Sequence, residues 1–164
     1  MTNRPTAAVM PSVLDRLLDD VPSTGRTGKR SRGALVSSIR ETLQRDLEWL
    51  LNTRRRPLTA ADKDLPELKT ALTAYGIPDF TTRDLSSETQ RKAFARALEQ
   101  AIRHFEPRLA SVSVSLGDRG GLERRLRFRI DALIRVEPAP EPVAFVSQLD
   151  PATQSFTIRM ADHE

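Results

Sequence analysis

Residues 126–136 read LRFRIDALIRV, and this stretch decides the fold. Apolar side chains take most of the alternate positions, with arginine and aspartate between them, which is typical of a β-strand that has one wet face. Similar alternation occurs over 112–116, 143–149 and 156–160, with a turn between successive runs. Short turns between such runs predict a four-stranded antiparallel meander. The outer strands of a meander have edges to which a partner's strand could be added.

A strong helical pattern precedes the strands over residues 35–53, whose apolar side chains fall in one arc of a helical wheel. Asp46 projects into that arc, so we expect it to be buried or half-buried and paired with an arginine, Arg108 being the first candidate. Trp49 lies at the edge of the arc, and we expect it to cover the core. The polar residues expected to face away are Glu41, Gln44 and Glu48.

Two further helices are predicted before the first strand. A short helix is expected over 65–74, ended by Gly76 as a left-handed cap. A long helix begins at Ser87, with Gln90 placed for a capping box. The predicted fold class is therefore α+β, with N-terminal helices packed on one face of a four-stranded antiparallel meander.

The pattern divides the chain into three parts. Residues 1–33 are predicted to be a flexible segment that carries a short docking helix over about 11–18 and a basic linker. Residues 34–160 form one α+β domain, and 161–164 form a tail. The basic loop 26–32 is interpreted as solvated, with a phosphate-binding arm as the alternative.

Composition excludes several classes of function. The 164 residues include no cysteine, which excludes disulfides and thiolate metal sites. They also include no apolar run long enough for a membrane span. The N-terminus lacks the apolar core of a secretory signal, so the chain is expected to stay where it is made. We find no nucleotide-binding motif and no Gly-x-Ser-x-Gly motif of a serine hydrolase. We also find no pair of carboxylates with the aromatic side chains that line the sugar-binding cleft of a glycosidase. The sequence therefore predicts neither an enzyme nor a cofactor.

Arginine is the other conspicuous feature, since the net charge is only +4 but the sequence pI is about 10.1. Arg125, Arg127 and Arg129 share one face of the predicted sheet. They are interpreted as the solvated face of a strand, and the alternative is a surface for an acidic partner or nucleic acid. A nucleic-acid-binding domain is thus the alternative to a protein-binding one.

Four short motifs occur in a fixed order along the chain. They are PSVLDRL at 11–17, DLEWLLNTR at 46–54, YGIPDF at 75–80 and FEPRL at 105–109. Together they resemble TssE, the type VI secretion member of the lysozyme-like baseplate wedge family of contractile phages, and the resemblance spans about residues 11–160. It implies a structural baseplate subunit without lysozyme activity, which joins the wedge and initiates or anchors the contractile sheath.

The resemblance also implies partners and a location. The partners would be the wedge subunits TssF and TssG, TssK through the wedge, and the TssB/TssC sheath, with no membrane insertion and no nucleic acid. The location would be cytoplasmic, in a baseplate docked at the inner membrane of a Gram-negative bacterium.

Site residues follow from the matched motifs. Glu106, Pro107 and Arg108 match the family's Glu-Pro-Arg motif, which is implicated in wedge contacts. Pro107 forces a turn there, so the corner could present both charges to a partner or could be locked internally, and both could hold together. Other residues assigned to protein binding are Leu14, Asp15, Arg16 and Leu17, and those assigned to structure are Asp46, Trp49 and Asn52.

Overall fold

The protein was analysed as a computed structural model, which describes residues 32–57, 65–69, 71–80, 85, 87–117, 126–150 and 152–161. Its regular elements follow the predicted order of helices first and strands afterwards. They are helix α1 (Arg32–Asn52), two 3-10 turns (Pro66–Lys69 and Leu72–Ala74), helix α2 (Glu88–Phe105) and strands β1 (Leu109–Leu116), β2 (Leu126–Ile134), β3 (Glu141–Asp150) and β4 (Ser155–Met160).

The strands form one antiparallel sheet in the order β1-β2-β3-β4, which confirms the predicted meander. Side chains alternate between buried and exposed along β2 and β4, as the period-two pattern requires. The buried side faces both helices, so the α+β fold class is confirmed.

The core lies between the helices and the sheet. The arc predicted for α1 is buried, and α2 contributes Phe94, Leu98 and Ile102. Four aromatic rings meet at its centre, with centroids 4.9–6.4 Å apart, and they belong to Phe80, Phe94, Phe128 and Phe156. Edge-to-face and tilted ring pairs of this kind stabilise a core beyond the area that they bury.

The predicted helix over 65–74 is wrong. The chain there forms two separate 3-10 turns, and Ala71 between them has extended backbone angles. Leu65 and Leu72 are exposed and Leu68 is half-buried, so few of the described apolar side chains of this segment pack into the core. Because short helices depend on tertiary packing for their stability, a continuous helix is not favoured here. The predicted capping box is also not formed, although Ser87 is the N-cap of α2, because its side chain makes no capping hydrogen bond.

Polar side chains of α1 bond to the outer edge of β4. Asn52 both donates to the Phe156 carbonyl (2.9 Å) and accepts from the Phe156 N–H (2.8 Å). One and two turns earlier, Glu48 accepts from the Ile158 N–H (3.4 Å) and Gln44 donates to the Ile158 carbonyl (3.0 Å). The expectation that Gln44 and Glu48 face away is therefore wrong.

The opposite edge of the sheet is bonded in the same manner by α2. Arg103 donates twice to the Val112 carbonyl (2.7 and 3.1 Å), and Glu99 accepts from the Val114 N–H (3.1 Å). Both edges of the sheet are thus partly occupied by side chains of the helices. The expectation of open edges is wrong at these positions, because these backbone groups already have partners.

We expect Asn52→Ala to lower the free energy of unfolding by about 1–2 kcal/mol, because two backbone groups of Phe156 lose their partner. Urea denaturation measures the change. Asn52→Asp is the control, because it keeps the acceptor for the Phe156 N–H and loses only the donor. Its loss of stability should therefore be smaller than that of Asn52→Ala. If Asn52→Ala were as stable as the wild type, α1 would not stabilise the edge of β4.

Candidate interaction site

The corner between α2 and β1 is built by the predicted Glu-Pro-Arg motif. The helix ends at Phe105, and the Glu106 N–H makes its last bond, to the Ile102 carbonyl (2.9 Å). Pro107 follows without an N–H to continue the helix. The Glu106 carbonyl then accepts from the Leu109 N–H (3.2 Å), which closes the turn into β1.

Arg108 links this corner to α1. Its guanidinium donates through Nε and Nη2 to the two carboxylate oxygens of Glu106 (2.7 and 2.5 Å). Nη2 also donates to Oδ2 of Asp46 (2.5 Å), and Nη1 approaches the Thr42 hydroxyl at 3.4 Å. The other oxygen of Asp46 accepts from Arg45 (3.1 Å). One arginine therefore binds carboxylates from two elements, and α1 is tied to the start of β1.

The members of this network differ in burial. The side chain of Glu106 is 8% exposed, that of Arg108 is 17% exposed and that of Asp46 is 22% exposed. Burial acts to lower the pKa of Arg108, but its bonds to Glu106 and Asp46 and the attraction of both carboxylates outweigh that effect and raise it. The guanidinium therefore remains charged and keeps both carboxylates bound.

The structure thus forms the internal lock that the sequence left as one of two alternatives. We use the word lock for the ion-paired side chains of Asp46, Glu106 and Arg108. Asp46 is half-buried and paired with Arg108, as predicted. Glu106 points inward, and Pro107 is the exposed residue of the motif. The corner does not present both charges at its surface, and contact of Glu106 with a partner stays an untested prediction.

A depression of about 390 Å³ opens beside the lock. Tyr75 and Phe105 form one wall, with their rings packed edge to face at 5.2 Å. Burial, followed by the negative charges of Asp46 and Glu106, raises the pKa of Tyr75. The depression is therefore lined by two aromatic rings and by the ion-paired side chains of Asp46, Glu106 and Arg108.

Trp49 corrects another expectation, because it does not cover the core. Its side chain lies on the outer face of α1 and the residue is 50% exposed. The guanidinium of Arg45 lies 5.0 Å from the centre of the indole ring, close enough for a cation–π contact. Since Arg45 also bonds Asp46, Trp49 is connected to the lock. Arg45 was not predicted, although its place next to Asp46 was a usable signal.

The second and third motifs meet at the end of α1. The Ile77 N–H donates to the Thr53 carbonyl (2.9 Å), and the Arg55 N–H donates to the Ile77 carbonyl (2.8 Å). Gly76 has a φ of +107°, and a Cβ there would lie 2.4 Å from the Thr53 oxygen. The positive φ predicted for Gly76 is confirmed, but its predicted role as a helix cap is wrong, because the preceding 3-10 turn is capped by Tyr75. The contact requires glycine for a second reason, which is space.

Several predictions fall on residues outside those described. They include the docking helix, the loop 26–31 and the binding residues Leu14, Asp15, Arg16 and Leu17. Arg32, the last residue of the predicted basic loop, belongs to α1, where it donates to the Ala139 carbonyl and pairs with Glu141 (3.0 and 3.2 Å).

The described residues carry few signs of other chemistry. In that part of the chain, no three His, Asp or Glu side chains are grouped to hold a metal ion. The helices described there are also too short or too polar to cross a membrane. What the geometry defines is an α+β domain in which buried charges join a helix to a helix–strand corner.

Comparison with known proteins gives the family. The model described as "Baseplate wedge protein gp25" matches residues 37–139, so the chain belongs to this baseplate wedge family. The match includes residues 37–52 of α1 and the Glu-Pro-Arg corner, and it confirms the family resemblance. The motifs at 46–54, 75–80 and 105–109 lie inside the matched range, and the motif at 11–17 lies before it. No curated protein matches the chain. A chain of a solved structure, "The baseplate complex from the type VI secretion system", aligns with 17% identity and a TM-score of 0.44 over 77% of this chain and 97% of its own length.

Proposed function

We propose that this chain is a structural subunit of a type VI secretion baseplate, where it joins the wedge and initiates or anchors the sheath. The observation that carries the proposal is membership of the baseplate wedge family over residues 37–139. The order of the four motifs, which resembles TssE, supports the type VI assignment. The proposed partners are TssF and TssG, with TssK reached through the wedge and TssB/TssC in the sheath. The proposed location is a cytoplasmic baseplate docked at the inner membrane.

The lock supports a role in assembly over one in catalysis. Asp46 and Glu106 are the carboxylates of the depression, and both are bound by Arg108. Carboxylates held in this manner fix the position of a corner. The other side chains that line the depression are apolar, apart from Tyr75, whose pKa is raised by burial and by these carboxylates. We therefore propose a protein without enzymatic activity, in which the lock sets the shape of the surface around Pro107, Tyr75 and Phe105 for a wedge partner.

Sheath contact through an added strand has a structural requirement. At β4, an incoming strand would have to displace the side chains of Gln44 and Asn52 from Ile158 and Phe156. Displacement would cost the hydrogen bonds that these side chains make, so the incoming strand must replace them with its own backbone groups. The proposal therefore includes an exchange of partners at the edge.

The proposed docking segment gives a test that we expect to leave the folded domain unchanged. Leu14→Asp and Leu17→Asp are expected to reduce recovery of co-expressed TssF and TssG about tenfold or more, because each removes an apolar side chain from a docking face. The thermal transition should stay that of the wild type. Ser23→Asp is the control, since it adds the same charge to the segment without removing a leucine.

Two outcomes would count against the proposal. Failure of the wild-type chain to recover TssF and TssG would contradict the wedge role itself. Loss of the thermal transition in Leu14→Asp and Leu17→Asp would show that the segment belongs to the core and is not a docking element.

A further inference from the structure

The face of the sheet opposite the helices is uncovered by the described residues, and its rows can be read from the strand register. One row crosses all four strands through Ser115, Arg129, Val146 and Arg159. The neighbouring rows contain Arg127 with Gln148 and Thr157, Ser113 with Asp131 and Ala144, and Ser111 with Leu133 and Pro142. We call these four rows the open face.

An apolar stripe runs through the middle of the open face. Pro142, Ala144 and Val146 are the outward residues over most of β3, and Leu133 on β2 is paired with Pro142 and is 37% exposed. A strand with one wet face carries polar residues at its outward positions, whereas a strand covered on both sides is apolar on both. Over residues 142–146 β3 follows the second pattern, which indicates that this part of its outward side becomes covered, whereas the outward Gln148 is polar.

Arginines stand on both sides of this stripe. Arg129 and Arg159 are separated only by β3 and therefore lie roughly 10 Å apart across the sheet. Arg127 lies two residues before Arg129 on the same face. The acidic residue within the four rows is Asp131, which pairs with Arg129 at 2.9 Å. Asp150 lies on β3 beyond the last row, so the four rows themselves hold three arginines and one aspartate. The open face is therefore positively charged around an aliphatic centre.

Resting on the proposed baseplate role, we infer that the open face docks an acidic amphipathic segment of another baseplate protein. The aliphatic side of that segment packs on Leu133, Ala144 and Val146, and its carboxylates bind Arg127, Arg129 and Arg159. Guanidinium groups suit this role because their planar fork matches a carboxylate in two hydrogen bonds. Charge complementarity selects the partner, and burial of the stripe contributes affinity.

Nucleic acid fits the same surface less well. A phosphate-binding face gains affinity from each cation that contacts the backbone, and here Asp131 offsets Arg129. Single strands also stack on aromatic side chains, and the four rows defined above contain none. The aliphatic stripe is explained by a protein partner and would be of no use to a phosphate backbone.

Photocrosslinking in cells that assemble baseplates tests the inference. The photoreactive residue p-benzoylphenylalanine is placed at Ser113 or at Val146, so that a folding defect at one position leaves the other. Arg96, exposed on α2, is the control position. We expect adducts from the two sheet positions and not from position 96, with a peptide rich in Asp or Glu at the site of attachment. Combining Arg127→Glu with Arg159→Glu should reduce the adduct about tenfold. In this double variant, replacing the acidic residues of the attached peptide with lysine should restore the adduct.

Contrary results are distinguishable. An adduct with nucleic acid, an adduct with a neutral or basic peptide, or no adduct in a chain that co-purifies with the baseplate overturns this inference alone. Absence of the chain from purified baseplates overturns the inference and the proposed function together.

Discussion

Arg108→Ala is expected to lower the free energy of unfolding by about 3 kcal/mol, because Glu106 and Asp46 lose the cation that binds them. The value is at the lower end for a broken buried ion pair, since Asp46 keeps Arg45 and some contact with solvent. Glu106 is the costlier loss, because its side chain is nearly buried and its carboxylate bonds mainly to Arg108. Urea denaturation of the purified domain measures the change.

Two variants make this measurement specific. Arg96→Ala removes an arginine from the exposed face of α2 and is expected to change stability by less than about 0.5 kcal/mol. Arg108→Lys keeps the charge but loses the fork that binds two carboxylates, so its loss should be intermediate. A change below about 1 kcal/mol in Arg108→Ala would show that the lock does not stabilise the corner.

Gly76→Ala is also expected to cost about 3 kcal/mol. A φ of +107° is strained for any residue with a Cβ, and that Cβ would lie 2.4 Å from the Thr53 carbonyl oxygen. The obstacle is backbone at the end of α1, so relief requires breaking the bonds between Thr53, Arg55 and Ile77. Thermal or urea unfolding measures the loss.

The chain supplies a matched control in Gly33→Ala. Gly33 lies in the first turns of α1, and a Cβ there meets nothing within 4 Å. Alanine is favoured over glycine in a helix, so this variant should be neutral or slightly stabilised. Equal stability of Gly76→Ala and the wild type would contradict the close approach of residues 75–77 to the end of α1.

The Asp46–Arg108 pair could be predicted because two independent signals agreed. The helical wheel placed a carboxylate in an apolar arc, where it needs a partner. Arginine after a forced turn at Pro107 offered one. The inward direction of Glu106 could not be predicted, because it depends on the Arg108 side chain folding back over the corner to bind it. A contact between residues two positions apart in a turn leaves no sign in the hydrophobic periodicity of the sequence.

The positions of Trp49 and Gln44 were wrong for a related reason. A helical wheel separates the buried arc of a helix from its exposed arc. Whether a residue at the boundary is exposed or bonded depends on where the neighbouring element lies, which the wheel does not show. β4 runs beside α1, so Gln44, Glu48 and Asn52 meet its edge. Trp49 lies beside this stripe on the surface of α1 and is half exposed. The spacing of four between these polar residues was a signal of one stripe with a common partner.

The stability variants test the lock. The proposed function, that this chain is a structural subunit of a baseplate, needs a separate measurement. The most direct measurement is electron cryo-microscopy of baseplates isolated from cells through a tag on another wedge subunit. We expect density for this fold in each wedge, with the corner around Pro107 and the Tyr75–Phe105 wall in contact with a wedge subunit. Complete, sheath-competent baseplates that lack this chain would contradict the proposed function.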